Sequence, residues 1–280
     1  MLIASPRHTP ADLEAWATWA RLDALMAKTS RLTRLEEIAL DALAAFAADG
    51  PAYVGVSWGK DSVTVAHLAW RLAQLGGPEM PVVWIRPSLL SNPDNLLVRD
   101  AFRARFDVDY TEVDVYCEDL EAEWFVEGLT VATKVFGPRY VSGVRGDESR
   151  DRAMRMARWG ENTARTCAPI GRWPLEMVYA YLAKHDLPIH PAYACTLNGT
   201  IERRGLRVEN LYGARGTGFG RHHWEATYYG PELDAIALVG GGERHPWVRP
   251  TTATRSDAAL AWRRAEQERV EALILEEHDG

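Results

Sequence analysis

Apolar positions recur with a helical period in the first fifty residues of the chain. Residues 13–26 carry apolar side chains on one side of a helix and polar side chains on the other, and so do residues 32–43. Thr29 and Ser30 are both candidate N-caps of the second helix, which ends at an Asp-Gly-Pro sequence at residues 49–51. The pattern predicts two helices that pack on a core formed by the rest of the chain.

From residue 52 onwards, short apolar runs alternate with amphipathic stretches. The predicted strands cover residues 52–57, 81–85, 108–115 and 140–144. The predicted helices cover residues 62–75, 95–106, 118–136 and 147–159. Strands that are buried on both faces and alternate with helices are typical of an α/β fold with a doubly wound, mostly parallel sheet, in which ligands bind at the carboxyl ends of the strands.

The remainder of the chain is less regular. A helix is predicted at residues 175–184 and an extended segment at 187–191, whereas residues 199–224 are rich in Gly and Arg and show little periodicity. Residues 254–277 are predicted to form a long amphipathic helix that caps the core or contributes to a homo-oligomer.

Length and pattern together divide the chain into three regions. At about 150 residues per domain, a chain of 280 residues corresponds to roughly two domains, or to one large α/β domain with additions. The predicted regions are a helical N-terminal extension, an α/β domain, and a substrate or lid region with the C-terminal helix, at residues 1–50, 51–195 and 196–280.

Composition and charge exclude several classes of protein. With 47% hydrophobic and 25% charged residues, the chain is neither disordered nor collagen-like, and no apolar stretch approaches the roughly 20 residues of a membrane span. The 39 acidic and 32 basic residues give a net charge of −7. This balance argues against a general DNA coat or a polybasic membrane binder, but it allows a local basic site.

The three cysteines are Cys117, Cys167 and Cys195, and they form no Cys-x-x-Cys pair. This spacing argues against zinc ribbons and thioredoxin-type redox pairs. A sparse, odd number of cysteines and the absence of a signal-peptide pattern predict a cytoplasmic protein. Cys167 and Cys195 could carry a persulfide or ligate a cluster if they meet in space, but we favour two buried, small apolar side chains.

The most informative segment lies between the first predicted strand and the helix that follows it. Its sequence is Ser57-Trp58-Gly59-Lys60-Asp61-Ser62. A loop that leads from a buried strand into a helix can bind phosphate through backbone N–H groups and the helix dipole. It is not a Walker A loop, because only three residues separate Gly55 from Gly59 and an Asp follows the Lys.

The 57–62 loop resembles the SGGxDS loop of the PP-loop ATP pyrophosphatases. The Lys before Asp-Ser is similar to the phosphoadenosine phosphosulfate (PAPS) reductase branch of that superfamily. The resemblance implies an adenine nucleotide alpha hydrolase-like fold and a loop that surrounds the pyrophosphate end of ATP or of a related nucleotide. It also implies cleavage of the α–β phosphate bond in members that use ATP, which gives an adenylated substrate and pyrophosphate.

Each residue type in the loop suits a different part of this task. The hydroxyls of Ser57 and Ser62 can donate hydrogen bonds to phosphate oxygens, and Gly59 allows the backbone to approach closely. Lys60 supplies a point charge. Asp61 is a poor neighbour for phosphate unless it holds a metal, so we predict that it binds Mg²⁺. ATP and Mg²⁺ are therefore the predicted cofactors.

A second segment, at residues 143–152, resembles the G-[IVL]-R-x-x-E-S-x-x-R region of the PAPS reductase family. It follows a predicted strand and begins a stretch, residues 139–172, with eight Arg and four acidic residues. Arg145 is the predicted clamp for phosphate or sulfate, with Arg150 or Arg152 as a second. The predicted catalytic residues are Lys60, Asp61, Arg145 and Arg150. The predicted nucleotide-binding residues are Ser57, Trp58, Gly59, Lys60, Asp61, Ser62, Gly143 and Arg145.

A third segment extends the resemblance to the end of the α/β domain. Residues 168–193 are similar to the family's P-I-x-x-W and L-P-x-x-P-x-Y stretches, with Trp173 at the tryptophan and Tyr193 at the final tyrosine. We interpret this segment as evidence for the fold and not for catalysis, because its helix and Trp173 suit core packing.

The chain departs from the family pattern at three places. Trp58 stands at the first Gly of the loop, so a left-handed backbone is not expected there. Ile85-Arg86-Pro87-Ser88 replaces the usual Asp-Thr-Gly, which indicates a change in substrate recognition. Residues 255–280 contain no Cys, whereas true sulfonucleotide reductases carry a C-terminal Glu-Cys-Gly-type nucleophile. Sulfonucleotide reduction is therefore disfavoured.

Three hypotheses about function follow. The leading one is an enzyme that uses ATP to adenylate an acceptor, in tRNA, DNA or a small metabolite, for displacement by sulfur or nitrogen, with a sulfur-donor protein as a possible partner. The second is a sulfonucleotide-binding enzyme that uses the thiol of a partner. The third is a nucleotide sensor in which Trp58 blocks turnover.

Two interpretations fit the Gly- and Arg-rich stretch at residues 213–224. Four glycines give it conformational freedom, and Arg215, Arg221, His222 and His223 are hydrogen-bond donors. It could fold over a phosphate or a nucleic-acid backbone, with nearby aromatic side chains stacked on bases. A surface loop with incidental charge is an equally good interpretation.

Overall fold

The structure is a computed structural model that describes residues 1–87, 91–115, 123–211 and 221–239. The helices in these ranges are α1 (Pro10–Met26), α2 (Ser30–Ala48), α3 (Lys60–Gln74), α4 (Asp94–Arg103), α5 (Glu123–Phe136), α6 (Arg150–Trp159), α7 (Leu175–Lys184) and α8 (Arg221–Val239). The strands are β1 (Tyr53–Val56), β2 (Val82–Pro87), β3 (Tyr110–Val115), β4 (Tyr140–Val141) and β5 (Thr166–Cys167). Single turns of 3₁₀ helix are formed by Gly146–Glu148, Pro191–Ala194 and Arg203–Gly205.

The strands form one parallel sheet in the order β3-β2-β1-β4-β5. The chain leaves β1 towards β2 and β3 on one side and then crosses to β4 and β5 on the other. The predicted doubly wound parallel sheet is therefore confirmed. The direction of winding reverses between β1 and β4, and this topological switch point is where open α/β sheets leave a crevice for a ligand.

Alternate side chains of the central strands enter two different apolar clusters. Val54, Val82 and Trp84 belong to the larger cluster, with residues of α3 and α7. Tyr53 and Val83 belong to the smaller one, which α5 covers. Because strand side chains alternate between the faces of a sheet, β1 and residues 82–85 of β2 have apolar packing on both sides and are themselves apolar.

Close packing of α5 on β2 explains a glycine within that helix. A Cβ atom at Gly128 would lie 2.2 Å from Cγ2 of Ile85 and 2.9 Å from Cγ2 of Val115. Any larger residue would push the helix away from the sheet, and this close approach offsets the cost of about 1 kcal/mol for glycine inside a helix.

The two N-terminal helices pack on the same core as the sheet. Thr9 caps α1 in a capping box with Asp12, and Thr29 caps α2 by accepting a hydrogen bond from the Leu32 N–H group. Thr29 is therefore the N-cap, rather than Ser30. Trp16 and Phe46 are buried in the larger cluster. The three-region division of the chain stays a prediction.

Several elements differ from the sequence prediction at their ends. α3 begins at Lys60, two residues before the predicted start, and β4 contains two residues instead of five. β5 and α8 were not predicted, because β5 has only two residues and α8 is interrupted at Tyr229 and contains Pro231. The predicted helix at 254–277 and most of the 213–224 stretch lie outside the described residues. No helix of the described ranges is long and apolar enough to cross a membrane.

Candidate functional site

The first and second sequence motifs meet at the switch point between β1 and β4. The 57–62 loop follows β1, and Gly143 and Arg145 follow β4. A Cβ atom at Gly143 would lie 2.9 Å from the backbone carbon of Asp61 and 3.0 Å from the backbone nitrogen of Ser62. The segment after β4 therefore touches the first turn of α3, and only glycine fits at position 143 without displacing it.

Trp58 has a left-handed backbone conformation, with a φ of +58°. The expectation from the sequence was that a residue with a Cβ would avoid this region, so the structure corrects it. The indole is fully buried, and its ring centre lies 6.4 Å from that of Trp84, 5.7 Å from Phe102 and 5.6 Å from Tyr110. Aromatic packing from β2, α4 and β3 thus offsets a backbone cost of about 1–2 kcal/mol.

Hydrogen bonds within the loop hold the start of α3. The Ser57 N–H group donates to Oγ of Ser62 at 3.2 Å, and that hydroxyl donates to the Gly59 carbonyl at 3.1 Å. Gly59 is the N-cap of α3 and has no side chain that could cover the helix end. The Ser62 hydroxyl therefore closes the loop, and its predicted bond to phosphate would have to replace a contact within the loop.

Lys60, Asp61 and Arg145 form one ion-paired group. Nζ of Lys60 lies 2.8 Å from Oδ2 of Asp61, and Nε of Arg145 lies 2.6 Å from Oδ1 of the same carboxylate. Lys60 is 6% exposed and Arg145 is 3% exposed. One carboxylate, in the first turn of α3, is thus shared by two buried cations.

Both cations stay charged in this environment. Burial opposes the charged form of Lys60, but Tyr193 and the Asp61 carboxylate outweigh burial and raise the pKa of Lys60 above its usual value. Burial likewise opposes the charge of Arg145, and Asp61, Glu148 and Asp147 more than compensate, so the pKa of Arg145 is also raised. The site therefore offers two permanent positive charges to an anion.

Tyr193 belongs to the site, although the sequence motif that contains it was interpreted as evidence for the fold alone. Its hydroxyl accepts a hydrogen bond from the Lys60 N–H group at 3.2 Å, and Nζ of Lys60 lies 5.2 Å from the centre of its ring. The available signal was the tyrosine at the end of the L-P-x-x-P-x-Y stretch. Tyr193 supports both the backbone and the ammonium group of Lys60.

Acidic side chains after β4 hold Arg145 from its other side. Nη1 of Arg145 lies 3.3 Å from Oδ2 of Asp147 and 3.3 Å from the Trp173 carbonyl oxygen. The Arg145 N–H group donates to Oε2 of Glu148, and Arg152 pairs with that same carboxylate. The Arg145 guanidinium is therefore fixed in position before any ligand binds.

The two other predicted arginines lie outside this group. Arg152 is tied to Glu148 and not to the loop. Arg150 is exposed at the start of α6, and it forms no ion pair or hydrogen bond within the described ranges. A role for Arg150 in catalysis stays a prediction, whereas Lys60, Asp61 and Arg145 are in direct contact.

The contacts of Asp61 do not fit a magnesium ligand. Both of its carboxylate oxygens already accept a hydrogen bond from a cation, so a metal at either oxygen would lie against Lys60 or Arg145. Among the described residues, no group of three or more His, Cys, Asp or Glu side chains is arranged to hold a metal. The arrangement favours Asp61 as the anchor of the two cations.

The segment that replaces Asp-Thr-Gly continues the second strand. Arg86 lies within β2 and is buried, with Nε 2.7 Å from Oδ1 of Asp114 on β3. Ser88 lies outside the described residues. The substitution therefore places an ion pair near the carboxyl ends of β2 and β3.

Cys167 and Cys195 are unsuitable as nucleophiles. Both side chains are fully buried, and burial raises the pKa of each thiol to about 12. A thiol that stays protonated at neutral pH neither attacks phosphorus or sulfur nor carries a persulfide efficiently. Both are free cysteines, as expected for small apolar side chains of a core.

Comparisons with known proteins assign the α/β part of the chain to a family. Residues 51–196, more than half of the chain, match the family model described as phosphoadenosine phosphosulfate reductase domain. The chain is similar to phosphoadenylyl-sulfate (PAPS) reductase from Candida auris in a phosphate complex, with 14% identity, a TM-score of 0.42 and coverage of 58% of this chain and 89% of that one. It is also similar to FMN adenylyltransferase from Candida glabrata in complex with ATP, with 14% identity, a TM-score of 0.45 and coverage of 68% and 70%.

A second structure of the Candida glabrata FMN adenylyltransferase, in complex with FAD and inorganic pyrophosphate, gives 13% identity and a TM-score of 0.46. The match covers 90% of this chain and 89% of that one. A comparison with curated protein sequences finds no match.

Proposed function

The chain belongs to the phosphoadenosine phosphosulfate reductase domain family, and we propose that it is an enzyme that binds ATP at the 57–62 loop and breaks its α–β phosphate bond. The observation that carries the proposal is the convergence of Lys60, Arg145 and the N-terminus of α3 at the switch point of the sheet. A nucleotide polyphosphate placed there meets two fixed cations and a helix dipole of the same sign.

The loop would bind the phosphates with groups that are already positioned. The first amide groups of a helix have no acceptor within the helix. Tyr193 accepts the hydrogen bond of the first one, from Lys60, so a ligand would use the N–H groups that follow it in α3. Lys60 would contact a phosphate oxygen as a point charge, and the guanidinium of Arg145 would contact a second oxygen. Asp61 keeps both side chains at the entrance of the loop until phosphate oxygens compete for them.

The reaction divides into two displacements. An oxygen of the acceptor attacks the α-phosphorus, the bond from this phosphorus to the bridging oxygen breaks, and pyrophosphate leaves with the electron pair. The acceptor loses its proton to solvent and becomes an adenylate, from which a sulfur or nitrogen nucleophile then displaces AMP. Lys60 and Arg145 stabilise the charge that develops on the phosphate oxygens, which is the main contribution of the protein in such a reaction.

Mg²⁺ stays part of the proposal as a companion of ATP, and when bound it would neutralise further charge on the phosphates. Because Asp61 is held by two cations, we assign no residue of this chain to the metal. Cys167 and Cys195, the cysteines of the described ranges, are buried and have raised pKa values, so we propose that the sulfur or nitrogen nucleophile comes from another molecule.

Product analysis with α-labelled ATP tests the proposal. We expect the wild-type protein to form AMP and pyrophosphate, and Lys60→Ala to form AMP about 10²- to 10³-fold more slowly, as when one preorganised charge donor is removed. Lys28→Ala, which removes an exposed lysine beyond the end of α1, is the matched control and should keep the wild-type rate. Formation of ADP alone, or equal rates in Lys60→Ala and wild type, would contradict the proposal.

A sulfonucleotide is the second candidate ligand, because the family description names phosphoadenosine phosphosulfate. A titration that compares PAPS with ATP distinguishes the two candidates. Tighter binding of PAPS, together with no AMP formed from ATP, would favour an enzyme that transfers the sulfuryl group to the thiol of a partner.

A further inference from the structure

Helix α6 is almost entirely exposed, unlike the other helices near the site. Met156 is its one buried residue in the structure, and it packs against Gly171 and Gly146. The ten residues of α6 include four arginines and one aspartate, Asp151, in a chain whose net charge is −7. Such a helix contributes little to the core, so its side chains are available to a partner.

The arginines of α6 are exposed mainly on the side opposite Met156. At 3.6 residues per turn, Arg150, Met154 and Arg158 form one stripe on this outer face, and Asp151, Arg155 and Trp159 form the next. Within the described part of the chain, Arg150, Arg155 and Arg158 form no ion pair with an acidic residue.

Like charges are also neighbours on this helix. Arg155 and Arg158 are three residues apart, a spacing at which two positive side chains destabilise an isolated helix by a few tenths of a kcal/mol. Repulsion of this kind is relieved when an anion binds across the side chains. The face is therefore better suited to a bound polyanion than to water alone.

An exposed aromatic platform accompanies the charges. The Trp159 side chain is 58% exposed, and the guanidinium carbon of Arg158 lies 4.8 Å from the centre of its ring. A large exposed indole with an adjacent guanidinium offers a stacking surface for a nucleobase and a cation for the phosphate next to it.

The outer face of α6 is continuous with the rim of the nucleotide site. Its N-terminus follows the Gly146–Glu148 turn, which holds Arg145. Arg204, on a separate segment, is exposed, with Nη2 3.4 Å from Oδ2 of Asp147, and Asp147 also contacts Arg145. The buried cations suit the phosphates of one nucleotide, whereas the exposed arginines extend over a helix roughly 15 Å long and need a larger anion.

We propose that the outer face of α6, formed by Arg150, Arg155, Arg158 and Trp159, is the docking surface for a single-stranded nucleic acid that serves as the acceptor of the adenylation reaction. The inference rests on the proposed function for the acceptor role, but binding at α6 can be measured without turnover. Positive charge provides affinity for the phosphate backbone, and Trp159 stacks on a base. The nucleic acid then runs from α6 towards Arg204 and the 57–62 loop.

Fluorescence anisotropy with a fluorescein-labelled single-stranded RNA, and with DNA of the same sequence, tests the docking surface. We expect the double variant Arg155→Gln/Arg158→Gln to bind at least tenfold more weakly than wild type. The slope of the logarithm of the binding constant against the logarithm of the salt concentration (the salt slope) should be smaller by about 1.4, because about 0.7 counterions are released per single-strand phosphate contact. The double variant Arg31→Gln/Arg34→Gln removes the same charge from the exposed face of α2 and should bind like wild type.

The stacking role has its own variant. Trp159→Ala should bind roughly tenfold more weakly with an unchanged salt slope, whereas Phe125→Ala, which removes an exposed aromatic ring from α5, should have no effect. Thermal melting verifies that each variant is folded, as expected for exposed positions. No binding by wild type, equal losses in the α2 control, or binding to phosphatidylserine vesicles that the oligonucleotides do not compete for would overturn the proposal.

Failure of the docking surface and failure of the proposed function give different results. Lys60→Ala should lose AMP formation and keep oligonucleotide binding, because Lys60 is buried and is not part of the outer face of α6. Oligonucleotide should accelerate AMP formation by wild type and not by Arg155→Gln/Arg158→Gln. If α6-dependent binding is found without any AMP formation, the docking surface stands and the adenylation reaction is wrong. If AMP is formed but no oligonucleotide binds the protein or accelerates the reaction, the docking surface alone is overturned.

Discussion

The Nε atom of Arg145 lies 2.6 Å from Oδ1 of Asp61, across 84 positions of the sequence. The contact joins the segment after β4 to the first turn of α3, and the second oxygen of the same carboxylate holds Lys60. A single acidic side chain thus sets the distance between the two cations that we assign to the phosphates. This relationship makes Asp61 a structural part of the site, whatever the nucleotide is.

Replacement of Asp61 should cost stability. In Asp61→Ala, Lys60 and Arg145 stay buried without their shared carboxylate, and we expect the free energy of unfolding to fall by about 3 kcal/mol. Denaturant unfolding of Asp61→Ala and of Asp41→Ala, an exposed position on α2, measures the difference. A loss in Asp61→Ala no larger than in the control would show that the cations need no anchor.

The left-handed backbone of Trp58 predicts an unusual order of stabilities. Trp58→Ala and Trp58→Gly both leave a cavity and should lower the free energy of unfolding by about 3–5 kcal/mol. At a φ of +58°, however, glycine is free of the strain that alanine retains, so Trp58→Gly should be more stable than Trp58→Ala by about 1 kcal/mol.

Trp70 provides the matched pair for this comparison. It lies inside α3, where Gly is about 1 kcal/mol less favourable than Ala, so Trp70→Gly should be less stable than Trp70→Ala. The order of Gly and Ala at position 58 would then be the reverse of the order at position 70. The same order at both positions would mean that the backbone of Trp58 is unstrained.

The hydroxyl of Tyr193 should matter more than that of a neighbouring tyrosine. Tyr193→Phe removes the acceptor of the Lys60 N–H group, and we expect a loss of about 1 kcal/mol in the free energy of unfolding and slower AMP formation. Tyr179→Phe is the control, because the Tyr179 hydroxyl is buried and has no hydrogen-bond partner among the described residues, so its removal should be neutral or stabilising. Equal effects of the two substitutions would remove Tyr193 from the site.

Acid should weaken a buried ionic cluster that joins three helices. Burial alone would raise the pKa of Glu36 on α2, but His185 just after α7, Lys184 at the end of α7 and Arg71 on α3 outweigh it and lower this pKa to about 2. Because the folded pKa lies below its usual value of 4.5, the carboxylate stabilises the fold above about pH 4.5, and this stabilisation is lost as the pH falls towards 2. Glu36→Gln should therefore lower the free energy of unfolding by about 3 kcal/mol at pH 7 and flatten its dependence on pH below 4.5.

The neighbouring Glu37 is exposed, so Glu37→Gln should keep the wild-type pH profile of the free energy of unfolding. His67, whose pKa is lowered to about 3 by burial and by the nearby His185, Arg71 and Arg105, is present in wild type and in both variants. Its protonation lowers the free energy of unfolding below its usual pKa of 6.5 in all three proteins. In Glu36→Gln the size of this effect also depends on the missing charge at position 36, because the Glu36 carboxylate raises the pKa of His67. A profile of Glu36→Gln as steep as that of Glu37→Gln below pH 4.5 would show that Glu36 does not carry the effect.

Local patterns were enough to predict most helices and strands, because the period of apolar positions depends on the geometry of each element alone. The predicted helix at residues 175–184 coincides with α7, and the sequence of the 57–62 loop predicted the strand, turn and helix around it. The family also follows from sequence, since the family model matches residues 51–196. β5 was missed because a strand of two residues is too short to show a period of apolar positions. α8 was missed because its kink and its proline interrupt the helical period.

The sequence by itself singled out the side chains to which we assign the chemistry, namely Lys60, Asp61 and Arg145. Only the tertiary structure decided what they contact, because the order of the strands brings the segments after β1 and β4 together. In the tertiary structure Asp61 contacts two cationic side chains, whereas the sequence had predicted that it binds a metal. The structure also adds Tyr193 to the candidate site. Packing between distant elements also holds Trp58 in a conformation that its own backbone preference opposes.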